Sequence, residues 1–222
     1  MFIGHYAVAL AVKKAAPSTS LGTLFIAVQF IDLLWPVLLL LGFEHVRIDP
    51  GNTVVTPFDF YDYPISHSLM GVGIWSAALA ILYFAIRRYR KGAWVVGLCV
   101  LSHWVLDYLT HRPDLPLGLT GEARVGAGLW NSLAGTIIVE AGMFVAGIAL
   151  YLRSTRSKDK TGVFAFWGLA VFVSVIYLGN MFGPPPTSVH LIAVAGNAMW
   201  LLILWAYWID RHRTSNQSTL HS

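Results

Sequence analysis

The chain has 222 residues, 56% of them hydrophobic and only 12% charged. With a mean hydropathy of +0.63, this composition excludes an ordinary soluble domain and a disordered chain and describes a membrane protein. The net charge of +4 comes from short basic clusters between apolar runs, so it reads as membrane topology and argues against a nucleic-acid-binding face.

In chain order, residues 2–12 form an apolar segment too short to span, expected as a half-depth or tilted helix. The basic pair Lys13 and Lys14 follows the apolar part and no cleavage site is evident, so the segment is expected to be retained. A spanning helix needs roughly 20 apolar residues. Six stretches meet that length: residues 21–42, 64–86, 93–111, 128–152, 163–182 and 189–209. The expected fold is all-α, a polytopic membrane helix bundle of six spanning helices plus a short N-terminal helix. One domain is expected over residues 1–222, with residues 1–152 holding the polar site and residues 153–222 adding two scaffold helices. The single cysteine, Cys99, offers neither a disulfide framework nor a thiolate-rich metal site.

Loop charges set the expected orientation. Lys13, Lys14, Arg87, Arg88, Arg90, Lys91, Arg153, Arg156, Lys158, Lys160, Arg211 and Arg213 fall on alternate connections, leaving Arg47, Arg112 and Arg124 on the others. The first group is expected on the cytoplasmic side, with a cytoplasmic C-terminus. The loop of residues 44–63, rich in Pro, Gly, Asp and aromatics, either caps a site or is an ordinary solvated connection. The prolines of residues 183–187 end a helix.

Against this background the ionisable residues inside apolar segments form a set. An intramembrane charge costs about 2.5–3.5 kcal/mol on insertion scales and is usually turned inward and functional. His103, Asp107 and His111, spaced four apart in SHWVLDYLTH, make one polar stripe on a helix. Asp32 and Glu140 lie mid-span, His67 near the start of its helix and His5 in the short first segment. No lysine or arginine is expected inside the bundle to neutralise the carboxylates, so the set is expected to converge on one cavity and hold a divalent ion. His190 is expected to be interfacial, and His45, His212 and His221 are loop or tail residues.

These residues carry a resemblance. GHYAVAL with His5, the mid-helix Asp32, ISHSL with His67, SHWVLDYLTH, and LWNSLAGTIIVE ending in Glu140 resemble the family of predicted membrane-bound metal-dependent hydrolases, over residues 1–152. More distantly, the series is similar to the zinc-dependent phospholipase C and P1 nuclease superfamily. That resemblance implies one zinc held by Asp32, His67, His103 and Asp107. It also implies that His5 shares Asp107 with a second ion beside an N-terminal amine, and that Asp32 acts on the attacking water. A third ion in the superfamily uses an H-x-x-x-E pair, and here Thr136 stands four residues before Glu140, leaving His111 as the spare imidazole. About one to two ions, zinc or manganese, are therefore expected from the ligand count.

The functional expectation is a membrane hydrolase of phosphate esters on a lipid or lipid-linked substrate. Arg112 is either a phosphate ligand or a snorkelling interfacial residue. Neither a phosphate-binding Gly-rich loop nor a serine-nucleophile motif is present. The alternative is a metal- or proton-coupled transporter, since intramembrane Asp, Glu and His also build ion pathways.

Overall fold

A computed structural model describes residues 1–120 and 122–216; His221 lies outside the described residues. The fold is all-α, with six helices among the described residues long and apolar enough to cross a membrane. The first helix, α1 (Ile3–Val12), is about 15 Å long at 1.5 Å per residue, half a hydrocarbon core. It lies mainly against α6 (Leu133–Ser154). The two approach closely because position 147 is glycine: a Cβ there would stand 2.6 Å from the Ala7 carbonyl oxygen.

The second helix, α2 (Leu21–Leu41), begins at Ser20, whose hydroxyl accepts from the Thr23 amide, and ends at Gly42 in the left-handed region, φ +72°. It runs through the centre, touching α1, α5 (Arg90–Thr110) and the last two helices, α8 (Val189–Asn197) and α9 (Met199–His212). The last span, Val189–His212, is thus divided at Ala198. The stretch expected as one helix over residues 64–86 is also two, α3 (Pro64–His67) and α4 (Leu69–Arg87). Ser68 divides them: its backbone is extended, and its hydroxyl accepts from the Gly71 amide as the first cap of α4. A serine hydroxyl inside an apolar run gives the backbone that alternative partner. Lys160–Phe182 forms α7, capped by Asp159.

Small antiparallel pairs decorate the two ends. At one end are the hairpin of β1 (His45–Ile48) and β2 (Phe58–Asp62), and the pair of β3 (Leu115–Pro116) and β4 (Arg124–Val125). At the other end β5 (Thr155–Ser157) pairs with β6 (Arg213–Ser215), fastening the end of the described chain to the α6–α7 connection. The main core is apolar, including Tyr6, Phe25, Ile31, Val100 and Phe166. A second core of Trp35, Val46, Phe60, Tyr63 and Leu115 seats the hairpin on the bundle. Much of the helix exterior is also apolar, with Trp94, Ile138 and Phe164 each more than 70% exposed. A surface of that kind is what a lipid solvent requires.

Two expectations about charge change here. Lys13 and Arg213 are buried, so the bundle does contain buried cations, but they lie at the β5–β6 end. The helix carrying the histidine stripe closes at Thr110; His111 is its cap, with extended backbone (ψ 144°). Pro113 explains this, because the residue before a proline is driven out of helical geometry and the helix stops ahead of it.

Candidate metal centre

Five of the seven polar residues singled out from the sequence, Asp32, His67, Asp107, His111 and Glu140, line one cavity of about 420 Å³ at the hairpin end. His5 and His103 are fully buried, with rings stacked 3.8 Å apart at 2°. The two meet through Asp107: its Oδ1 is 3.2 Å from His5 Nε2, and its Oδ2 is 3.1 Å from His103 Nε2.

Each imidazole is aimed by what its other nitrogen does. His103 Nδ1 donates to the Val28 carbonyl at 2.7 Å, which leaves Nε2 buried without a hydrogen-bond partner. His67 Nδ1 donates to Ser66 Oγ at 2.6 Å, and Ser66 Oγ in turn donates to Glu44 Oε2 at 2.6 Å. Glu44 Oε1 also accepts from the Ser66 amide, so a carboxylate at the end of the hairpin orients a histidine on α3. Anchoring of this kind is how ligating histidines are held. Glu44 and Ser66 were not singled out from the sequence; their relation spans 22 residues and an extended loop, and no local pattern carries it.

The free nitrogens and two carboxylate oxygens form a compact set. Asp32 Oδ1 stands 3.5 Å from both His67 Nε2 and His103 Nε2. Asp107 Oδ2 is 3.9 Å from His67 Nε2 and 3.1 Å from His103 Nε2. Four donors about 2.0–2.1 Å from one zinc ion at tetrahedral angles would be about 3.4 Å apart. The four carboxylate-to-imidazole separations, out of the six edges of such a tetrahedron, scatter around that figure. The Asp32, His67 and His103 donors, and those of His5, His103 and Asp107, each lie within 4.8 Å of one another. Asp32 is the open member, its side chain keeping 24% exposure against 1–6% for its three neighbours.

On the far side of Asp107 lies a second set. The Met1 amino nitrogen is 2.6 Å from Asp107 Oδ1, beside His5. Glu140 Oε2 accepts from the Phe2 and Gly4 amides at 2.9 and 3.3 Å, while Oε1 is buried without a partner. Glu140 therefore caps the first turn of α1, whose free amide groups would otherwise lie unsatisfied inside the bundle. It belongs to neither three-residue donor group. Thr136 donates to the Leu129 carbonyl and holds the start of α6.

His111 stands in the same cavity wall but in neither three-residue donor group. Leaving the helix carries it off the His103–Asp107 face, and its Nδ1 is 2.9 Å from Asp114 Oδ1 and 3.3 Å from the Tyr63 hydroxyl. Burial pushes the His111 imidazole below its ordinary value, so it is neutral near pH 7 and donates to Asp114. Burial and the Asp114 carboxylate push the Tyr63 phenol well above its ordinary value, so it remains a donor, to the Asp114 carbonyl at 3.2 Å. Arg112 is likewise engaged, by Asp59 at 2.8 Å and Asp114 at 3.2 Å. It ties the hairpin to the following loop instead of offering a free phosphate ligand.

The loop of residues 44–63 forms part of the cavity wall, with residues 53–58 lining it. Residues 153–222, expected only as scaffold, contribute as well: Gly179, Asn180, Met181 and the three prolines 184–186 complete the wall. No family model, no curated protein and no solved structure matches this chain.

Proposed function

We propose that this protein is an integral membrane metal-dependent hydrolase acting on a phosphate ester of a lipid or lipid-linked substrate. The observation that carries the reading is the convergence of the Asp32 and Asp107 carboxylates on the His67 and His103 Nε2 atoms, 3.1–3.9 Å apart, beside an open cavity. Those four would hold one divalent ion, zinc or manganese. His5, His103 and Asp107 form the other three-residue donor group, on whose Asp107 Oδ1 the Met1 amino group already sits at 2.6 Å. When bound, such an ion supplies Lewis acidity to water and to a phosphoryl oxygen.

The residues of the chain divide the remaining work. Asp32 meets both imidazoles through Oδ1, which leaves Oδ2 to orient an attacking water and accept its proton. Trp35, Phe58, Phe60 and Trp130 give the cavity an apolar rim suited to the aliphatic part of an amphiphile, and exclude bulk water from the reacting centre. The basic end of the bundle would face the cytoplasm and the cavity the outer side. A C-terminal reporter active only outside the membrane would overturn that orientation.

The decisive assay is release of inorganic phosphate or a phosphoalcohol from a panel of phospholipids and polyprenyl phosphates in mixed micelles, with zinc or manganese added. Asp32→Asn keeps the size and one oxygen donor but loses basicity. It should fold, keep part of its metal and lose activity by about 100-fold or more, as general-base losses do. A wild type that releases nothing from the panel yet moves metal ions across sealed vesicles would replace the hydrolase with a carrier.

A further inference from the structure

The opposite end of the bundle holds a second cavity, of about 620 Å³, that the hydrolase reading does not use. Lys13 and Ser20 are among its lining residues. At 1.5 Å per residue Ser20 is about 18 Å down α2 from Asp32, so the two cavities belong to different halves of the bundle. The second cavity lies between α2, α4 and α9, with Tyr83 of α4 bonded to Thr19 at 2.9 Å beside it.

Its two parts have opposite character. The inner part is polar: Lys13 Nζ donates to the Thr19 carbonyl at 2.6 Å and lies 3.5 Å from Asp210 Oδ1. A run of hydroxyls continues it, with Ser20 bonded to Thr23 and Thr23 to Tyr207. Arg87 stands on the rim at the end of α4, exposed and without a protein partner among the described residues. Arg213 also lines the cavity, but its guanidinium is committed to Ser157, Gly162 and Thr155 and stacks on Tyr151 and Phe166. Three cations thus face one carboxylate, Asp210. The outer part is an apolar strip of Ile26, Leu79, Leu82 and Ile86, the last two more than half exposed on the lipid-facing exterior.

We propose that this cavity binds one anionic phospholipid, its phosphate between Arg87 and Lys13 and an acyl chain along Ile26, Leu79, Leu82 and Ile86. A lysine ammonium has three donors, of which the Thr19 carbonyl and Asp210 use two, and Arg87 offers a free guanidinium fork for phosphate. Basic pockets between helices at a membrane face take anionic head groups in this way, and the volume is that of a ligand site. The assignment does not rest on the hydrolase reading.

The test uses the full chain in detergent, with native mass spectrometry of retained phosphatidylglycerol and phosphatidylcholine and with thermal unfolding in each lipid. The wild type should retain one phosphatidylglycerol in preference to phosphatidylcholine. Arg87→Gln should reduce that preference about fivefold, the worth of one basic residue at a membrane surface. Leu82→Trp should fill the strip and lower retention of phosphatidylglycerol. Both positions are exposed, so both variants should unfold at the wild-type temperature without lipid. Equal retention of the two lipids, or an unchanged preference in Arg87→Gln, overturns the site. Inorganic phosphate that stabilises the wild type as much as phosphatidylglycerol, with Leu82→Trp silent, would make it a phosphate site and overturn the lipid assignment.

Discussion

Glu140 and Asp210 stand near opposite ends of the bundle and do the same local job. Each is a largely buried carboxylate accepting from the first amides of a helix elsewhere in the chain, Glu140 from Phe2 and Gly4 and Asp210 from Leu21 and Gly22. Their surroundings differ. Asp210 has Lys13 at 3.5 Å, which closes off the acid while leaving the lysine one donor. Around Glu140 the neighbouring carboxylates Asp32 and Asp107 meet imidazoles, whose Nδ1 atoms are already committed at His67 and His103 and whose Nε2 atoms converge. The acid beside the lysine has its counter-charge in a side chain, whereas at the other end the Met1 amino group meets only Asp107 Oδ1 and the remaining oxygens face imidazoles with free nitrogens, open to a cation.

Emptying the open end should give the largest effect. Elemental analysis of detergent-purified wild type should find about one to two equivalents of zinc or manganese. His103→Ala should weaken retention by more than about 100-fold, beyond the loss expected when only a supporting residue is removed. A wild type free of metal after purification and reconstitution would end the comparison. Next comes the closed end: Asp210→Ala strands Lys13 and two amides and should cost about 2 kcal/mol of stability, read as a lower unfolding temperature, with metal content unchanged. Loss of metal in that variant would mean that the two ends are not independent.

Smaller still is the effect expected of the aiming contact. Ser66→Ala removes the acceptor that fixes His67 Nδ1 and should weaken metal retention by about 10-fold, in a chain that folds normally. At the bottom of the scale, His190→Ala should change neither metal content nor stability; it is exposed at the start of α8. A loss there comparable to that in His103→Ala would show the donor set to be misassigned.

Which parts of this were legible in the sequence follows from the range of the forces involved. The six spans were readable because each apolar run is a local statement about the solvent around it. The His103–Asp107 pair was readable because one helix carries both residues on one face. The end of that helix was also written locally, in Pro113, which separates His111 from the stripe. The break at Ser68 left a weaker trace, a capping serine ahead of Gly71 within an apolar stretch. By contrast, Glu44 under Ser66, Asp210 on α2 and the prolines 184–186 in the cavity wall depend on how distant segments meet. No pattern within one helix reports those meetings.

The cap that Glu140 places on α1 has a consequence for biogenesis. A ten-residue helix with its first amides facing the bilayer interior has no stable transmembrane position alone, because those amides need an acceptor that lipid cannot supply. The acceptor arrives 136 residues after Gly4, on α6. During synthesis, α1 must wait at the membrane surface or near the insertion machinery until α6 has entered. Only then can it dock and carry His5 against Asp107. The polar centre is therefore assembled late, after four of the six spans have been placed, and a ribosome-bound chain ending before residue 140 should leave α1 accessible from the aqueous side.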